Sequence, residues 1–298
     1  MATELTMAGL TVTGLTVTGL TMTPGQLQSI WRTRTCSLLL AVGALLAGFA
    51  GWLSPATAEV TAPACAVTSA AADLSRLGLP LSHVAGRIAA GRPVKIIAIG
   101  SSSTAGAGAS SSASSYPSRL EAELRARFPQ LSITVINRGI NGEEAAQMLA
   151  RFDRAVMSEN PDLVLWQVGT NAVLRNDDVV KVADTVRQGL DRLKTLDADI
   201  VVIDPQFAPK VIAKPDIERM VDLLSASAKT ENVGYFRRFA VMRHWTETDH
   251  LPFELFVSAD GIHMNDWGYG CMAKLLASAI IDSATRIPQT AHVRVEQH

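Results

Sequence analysis

Asp260-Gly261-Ile262-His263 sets a carboxylate three residues before a histidine, and Asp-Gly is a turn-forming pair. On one turn, Asp260 can fold back to the Nδ1–H of His263. That fixes the tautomer in which Nε2 is free to accept a proton. A serine hydroxyl is a natural source of that proton, because it is a weak nucleophile until a base comes within hydrogen-bond reach. Gly100-Ser101-Ser102-Ser103-Thr104 offers several such hydroxyls. Attack on a carbonyl builds a negative oxygen that needs donors held in place. "NRGINGEE", with Gly139 and Gly142, offers backbone N–H groups that a ligand can approach closely. Asn171, in Gly169-Thr170-Asn171, offers a side-chain amide. Together these are the parts of an acyl-transfer site. Phosphate chemistry needs other parts: no G-x-x-x-x-G-K-[ST] occurs, and no G-x-G-x-x-G fits the turn after Gly100.

Residues so far apart in the chain must be gathered by the fold. "VKIIAI" (94–99) is a short, β-branched, apolar run, as a strand buried on both faces requires. Further strands are predicted at 132–137, 162–169, 199–204 and, more weakly, 233–239. Helical spacing predicts helices at 81–90, 116–128, 143–159, 177–196, 215–231 and 265–284. Strands alternating with helices imply an α/β fold of three α/β/α layers on a doubly wound, five-stranded parallel sheet. Ligands of such sheets sit beyond the carboxyl ends of the strands. The Ser, Gly and Asn blocks each follow a strand. The Asp-x-x-His block comes at the end of a long loop after the fifth strand, and in that polar loop His244, Trp245 and His250 either line a cleft or decorate the surface.

Four blocks in this order resemble the SGNH (GDSL-type) hydrolase superfamily, over about residues 94–284. The resemblance implies a flavodoxin-like fold, Ser102 as nucleophile, His263 as base and Asp260 as its orienting acid. It also implies an oxyanion hole made by the N–H groups of Ser102 and Gly142 and the amide of Asn171. Two departures stand out. Ser101 and Ser103 occupy positions where that family's first block has Asp and Leu, and Ala172 follows Asn171 where Asp is frequent. The family's chemistry needs no cofactor, and the His and Asp residues of this chain do not converge at metal-ligand spacing. The implied activity is hydrolysis of carboxylic esters, with small O-acetyl groups on carbohydrate favoured. An O-acyltransferase, a lipase or lysophospholipase using the same triad, and a non-catalytic carbohydrate-binding module are the rivals.

The chain has 27 basic and 28 acidic residues, a net charge of −1, which gives no field for nucleic acid. Arg32 and Arg34, an uncharged run from Cys36 to Leu53, and Ala56-Thr57-Ala58 have the order of a secretory signal peptide at about 31–58. A membrane anchor is the alternative. The expected division is 1–58 for an N-terminal extension and signal, 59–80 for a flexible mature N-terminus and 81–298 for the hydrolase-like domain. The first thirty residues repeat L-T-x-x-G and receive no role. Cys65 and Cys271 remain after cleavage, either paired in an oxidising compartment or with Cys271 as a buried free thiol.

Overall fold

The structure, a computed structural model, describes residues 64–65 and 69–285. The predicted extension and signal segment lie outside the described residues. In chain order the elements are α1 (Ser69–Ser75), α2 (Ser82–Ala89), β1 (Val94–Gly100), α3 (Ser102–Ala105), α4 (Tyr116–Arg127), β2 (Ile133–Gly139), α5 (Ala145–Ala150) and α6 (Phe152–Ala155). There follow β3 (Leu163–Gln167), α7 (Thr170–Arg175), α8 (Val179–Leu193), β4 (Asp199–Ile203), α9 (Pro209–Ile212), α10 (Ile217–Thr230), β5 (Gly234–Phe236), α11 (Arg238–Glu247), α12 (Phe253–Phe256) and α13 (Asp266–Thr285).

The five strands form one parallel sheet in the order β2-β1-β3-β4-β5. β1 is an inner strand and pairs with β2 from Val94↔Ile133 to Gly100↔Gly139, and with β3 from Ile96↔Leu163 to Ile99↔Trp166. Ile96 to Ile99 and Leu163 to Trp166 are fully buried, as a strand covered on both faces by helices must be. The order reverses between β1 and β3, so a crevice is expected where β1, β2 and β3 end. This is the doubly wound sheet that the strand-helix alternation predicted. Among the described residues no helix is long and apolar enough to cross a membrane.

Several element boundaries differ from expectation. The helix predicted over 143–159 is broken into α5, α6 and a short 3-10 turn. The break falls at Arg151, whose buried guanidinium bonds Glu143 and the carbonyls of Gly100 and Arg138. The weak fifth strand stops at Phe236, and the loop expected after it contains α11. Phe239, Met242 and Trp245 are its buried stripe, while the polar end of "MRHWTETDH" hides that period from a sequence scan. Trp245 is therefore core, 2% exposed and edge-on to both Phe256 and Trp267. The stretch expected to be flexible up to residue 80 contains α1. Its last carbonyls, Asp73 and Leu74, accept hydrogen bonds from Arg237, and Leu77 and Leu81 are buried. Cys65 and Cys271 form a disulfide, which fixes the start of the domain to α13.

Candidate active site

The turn after β1 selects one serine of three. Ser101 and Ser103 are buried at 3% and 1% exposure, whereas Ser102, the first residue of α3, faces outward and is half-buried. The turn hangs on Gln167, the last residue of β3. Its Oε1 accepts from the Ser101 N–H at 3.1 Å, the Ser101 hydroxyl at 3.1 Å and the Thr104 hydroxyl at 3.2 Å. Ser101 thus holds the loop where the GDSL pattern has an aspartate. The Thr104 hydroxyl also meets the Tyr116 hydroxyl at 3.2 Å. Burial pushes the Tyr116 phenol up to about 12, so it stays neutral under this turn. Gly139 lets the end of β2 come close: a Cβ there would lie 2.1 Å from the Ala105 nitrogen.

His263 reaches Ser102 from the turn between α12 and α13. Its Nε2 lies 2.7 Å from Ser102 Oγ, and its Nδ1 lies 2.6 Å from Asp260 Oδ2. A carboxylate only accepts, so Nδ1 carries the proton and Nε2 of the neutral ring accepts from the serine hydroxyl. Asp260 Oδ1 accepts three more hydrogen bonds, from the N–H groups of Ile262 and His263 and from the Ser258 hydroxyl. Burial would raise the Asp260 carboxyl. Those four donors outweigh it and hold the group well below the usual carboxylate range.

Gly142 and Asn171 lie in the segments that follow β2 and β3. Gly142 has φ of +79° and its carbonyl accepts from Arg175 at 2.8 Å. Asn171, in the first turn of α7, donates one amide hydrogen to the Glu143 carbonyl at 2.9 Å. The Asn171 amide and the Gly142 turn are therefore joined through Glu143. Glu143 is itself paired with Arg151 at 2.5 Å, and Arg151 reaches the Arg138 carbonyl at 2.8 Å. This pair, with Arg151 buried, ties the "GINGEE" turn to the ends of β1 and β2.

Three positioning features had no signal in the residue pattern. Gln206, in the segment after β4, is 1% exposed. Its Nε2 donates to the Ile262 carbonyl at 3.0 Å, and its Oε1 accepts from Thr170 and from Arg238, both at 2.9 Å. One side chain thus links the residue before His263 to the residue before Asn171. Behind it, Arg238 is fully buried and also donates to the Asp204 carbonyl oxygen at 2.9 Å. Burial pushes the Asp204 carboxyl up to about 7, against the pull of the Phe239 N–H, the Arg238 charge and the Tyr235 hydroxyl. The Ala107–Ser115 stretch, a Ser/Ala/Gly run with no assigned partner in sequence, is pinned to α13. Ser110 gives its N–H and hydroxyl to Asp266 at 2.7 and 2.5 Å, and Tyr269 donates to the Ala107 carbonyl at 2.7 Å. Gly108, at φ +86°, lies directly against His263.

Sheet order, an outward serine at the end of β1 and a histidine turned toward it define the frame of an SGNH/GDSL-type hydrolase. Residues 64–286 match the model of the Non-GDSL lipase-like family, and the chain belongs to that family. The description agrees with Ser101 standing where a GDSL block has Asp. An acetylxylan esterase of Geobacillus stearothermophilus is 38% identical over 56 residues, 19% of this chain and 26% of that enzyme. The chain therefore spans about a quarter of the curated relative it matches. Among solved structures, a two-domain esterase active on acetylated mannans is similar at TM-score 0.63 and 19% identity, over 72% of this chain and 57% of that one. A structure of an acetylxylan esterase from Geobacillus stearothermophilus is similar at TM-score 0.53 and 20% identity, over 66% of this chain and 96% of that one. At these identities the structures share the fold.

Proposed function

We propose that this protein is an exported serine esterase that removes small acyl groups, acetyl above all, from carbohydrate. The observation that carries the proposal is the continuous chain Ser102 Oγ to His263 Nε2 to Asp260 Oδ2, at 2.7 and 2.6 Å. Ser102 Oγ attacks the ester carbonyl and passes its proton to His263 Nε2. Asp260 stabilises the imidazolium through Nδ1–H. The tetrahedral oxygen is held by the N–H groups of Ser102 and Gly142 and by the second amide hydrogen of Asn171. The first N–H groups of a helix have no acceptor within it, which leaves that of Ser102 for this use. The intermediate collapses, His263 protonates the departing alcohol, and an acyl group stays on Ser102. Water then attacks with His263 as base and releases the acid.

The carbohydrate ester is supported by the names of the similar esterases, which act on acetylated mannan and xylan. Export is supported by the residue order at 31–58 and by the Cys65–Cys271 disulfide, since such bonds persist in oxidising compartments. Retention by an uncleaved N-terminal segment would place the same domain outside the cytoplasm. The test is a fluorophosphonate probe, with the adduct located by mass spectrometry, alongside hydrolysis of p-nitrophenyl acetate. We expect one adduct on Ser102, none in His263→Ala, and loss of hydrolysis in both Ser102→Ala and His263→Ala. No adduct on Ser102, or an equal adduct without His263, overturns the mechanism. Clear preference for long acyl chains across a p-nitrophenyl ester series overturns the acetyl assignment.

A further inference from the structure

A cleft of about 400 Å³ opens beside the turn that carries Asp260. Its lining joins Pro209, Phe253, Glu254 and Val257 to Ala259 and Gly261, the two neighbours of Asp260. The cleft is held in shape from several directions. Lys210 donates its N–H to the Gly261 carbonyl at 2.9 Å, which ties the start of α9 to the Asp260 turn. The Asn265 amide reaches the Glu254 and Leu255 carbonyls, which ties α12 to the residues just before α13. The Phe253 ring stacks on Phe207 with centroids 5.9 Å apart and touches Phe256 at 5.6 Å, yet remains only half-buried. Part of a fixed aromatic face therefore stays open.

The lining selects among ligands. It combines aromatic and aliphatic surface with an exposed carboxylate, Glu254, and the nearby carboxylate of Asp260. A long acyl chain has no use for a carboxylate at its wall, and burying that charge against it would be costly. An anionic ligand would be repelled by both acids. A neutral sugar ring fits: its C–H face packs on an aromatic ring and its hydroxyls donate to a carboxylate, the mix of apolar wall and few polar groups usual in ligand sites. The place fits as well. His263 Nε2, 2.7 Å from Ser102 Oγ, returns the proton to the departing alcohol, and His263 belongs to the same loop as the lining residues Ser258, Ala259 and Gly261, so the alcohol leaves beside the loop that borders the cleft.

We propose that this cleft is the subsite for the neutral sugar unit that carries the ester. The inference rests on the esterase function proposed above. It implies that a substrate with a full sugar on the alcohol side draws binding energy that a bare alkyl acetate cannot.

The experiment compares two substrates on the mature protein. Vinyl acetate, followed by pH-stat, has an alcohol too small to enter the cleft; an acetylated xylo-oligosaccharide fills it. Glu254→Ala alters an exposed side chain, and Phe253→Leu keeps apolar bulk against Phe207 while removing the flat face. Phe253→Tyr restores that face. We expect both Glu254→Ala and Phe253→Leu to lower kcat/KM on the oligosaccharide by at least about ten-fold, the scale of one lost pocket contact. Their rates on vinyl acetate should stay within about two-fold of wild type, and Phe253→Tyr should regain oligosaccharide activity. Equal losses on both substrates, or no loss on the oligosaccharide, overturn the subsite. So does a wild type that cleaves vinyl acetate and leaves the oligosaccharide intact, and in that case the esterase function stands. Failure on both substrates removes the esterase function itself.

Discussion

Gly108 is the position where a single methyl group tests whether the Ser/Ala/Gly loop after α3 holds the histidine in place. A Cβ added there would sit 2.5 Å from the Met264 carbonyl oxygen, 2.8 Å from His263 Cβ and 3.1 Å from Ser258 Oγ. Carbon atoms pack best at about 3.5 Å, so the approach to His263 falls about 0.7 Å short. The loop cannot easily yield, because Ser110 and Ala107 are bonded to Asp266 and Tyr269 on α13. The φ of +86° adds strain for any residue with a side chain. A misplacement of about 1 Å in an active site can cost on the order of 10²-fold. We therefore expect Gly108→Ala to lower kcat roughly 10- to 100-fold with KM little changed. Strain and overlap together should cost at least about 2 kcal/mol, a fall in Tm of about 4–8 °C for a domain of this size. The assay is steady-state hydrolysis of p-nitrophenyl acetate at 20 °C, with thermal unfolding followed by circular dichroism. Gly78→Ala is the control, because its φ is +81° with nothing within 4 Å of the added carbon. It should lose stability and keep kcat. A Gly108→Ala protein that melts earlier but turns over at the wild-type rate would refute the idea that this loop sets the position of His263.

Gln206→Met removes the bridge between Ile262 and Thr170 while keeping the side chain's length. It should lower kcat on p-nitrophenyl acetate by about ten-fold or more and leave KM and the fluorophosphonate target unchanged, because the bridge touches no substrate. Loss confined to KM would show that Gln206 positions neither His263 nor Asn171. Asp204 makes a pH prediction with a definite sign. Its folded value of about 7 lies above the ordinary value of about 3.8, so the folded state binds more protons between those limits. Stability should then fall as pH rises from about 4 through about 7, and Asp204→Asn should flatten that part of the profile. Asparagine can still accept from the Phe239 N–H and donate to the Tyr235 hydroxyl. Urea unfolding at a series of pH values reads this directly, and an unchanged slope in the variant would assign it to other groups.

What a linear chain displays is periodicity and residue type, and both were informative. The apolar run before Gly100 announced a buried strand because a strand covered on both faces has no polar alternation to show. Alternation with helices then led to the parallel sheet and to the strand ends as the place of chemistry. Asp260 and His263 were legible because their partnership is local, three residues apart on one turn. The helix α11 was not, because its buried stripe is short and runs into a polar end. The broken helix at Arg151 was not, because a basic residue at 4% exposure contradicts the usual surface position of arginine.

The residue types and spacing of this protein were enough to determine the fold class and the candidate triad. The resemblance already pointed to Ser102, but only the tertiary structure shows why Ser101 and Ser103 turn inward while Ser102 stays accessible, since their burial depends on helices and strands far away in the chain. It also decided what replaces the missing aspartate at 101. Gln167 holds that turn from 66 residues away, and Gln206 holds the histidine turn from 56 residues away. Hydrogen bonds of that kind form between groups that only the folded sheet brings within 3 Å or so, and no local pattern encodes them. The same holds for the Ser/Ala/Gly stretch after Gly106. Its composition reads as a linker, and its contacts with α13 and His263 make it a wall of the site.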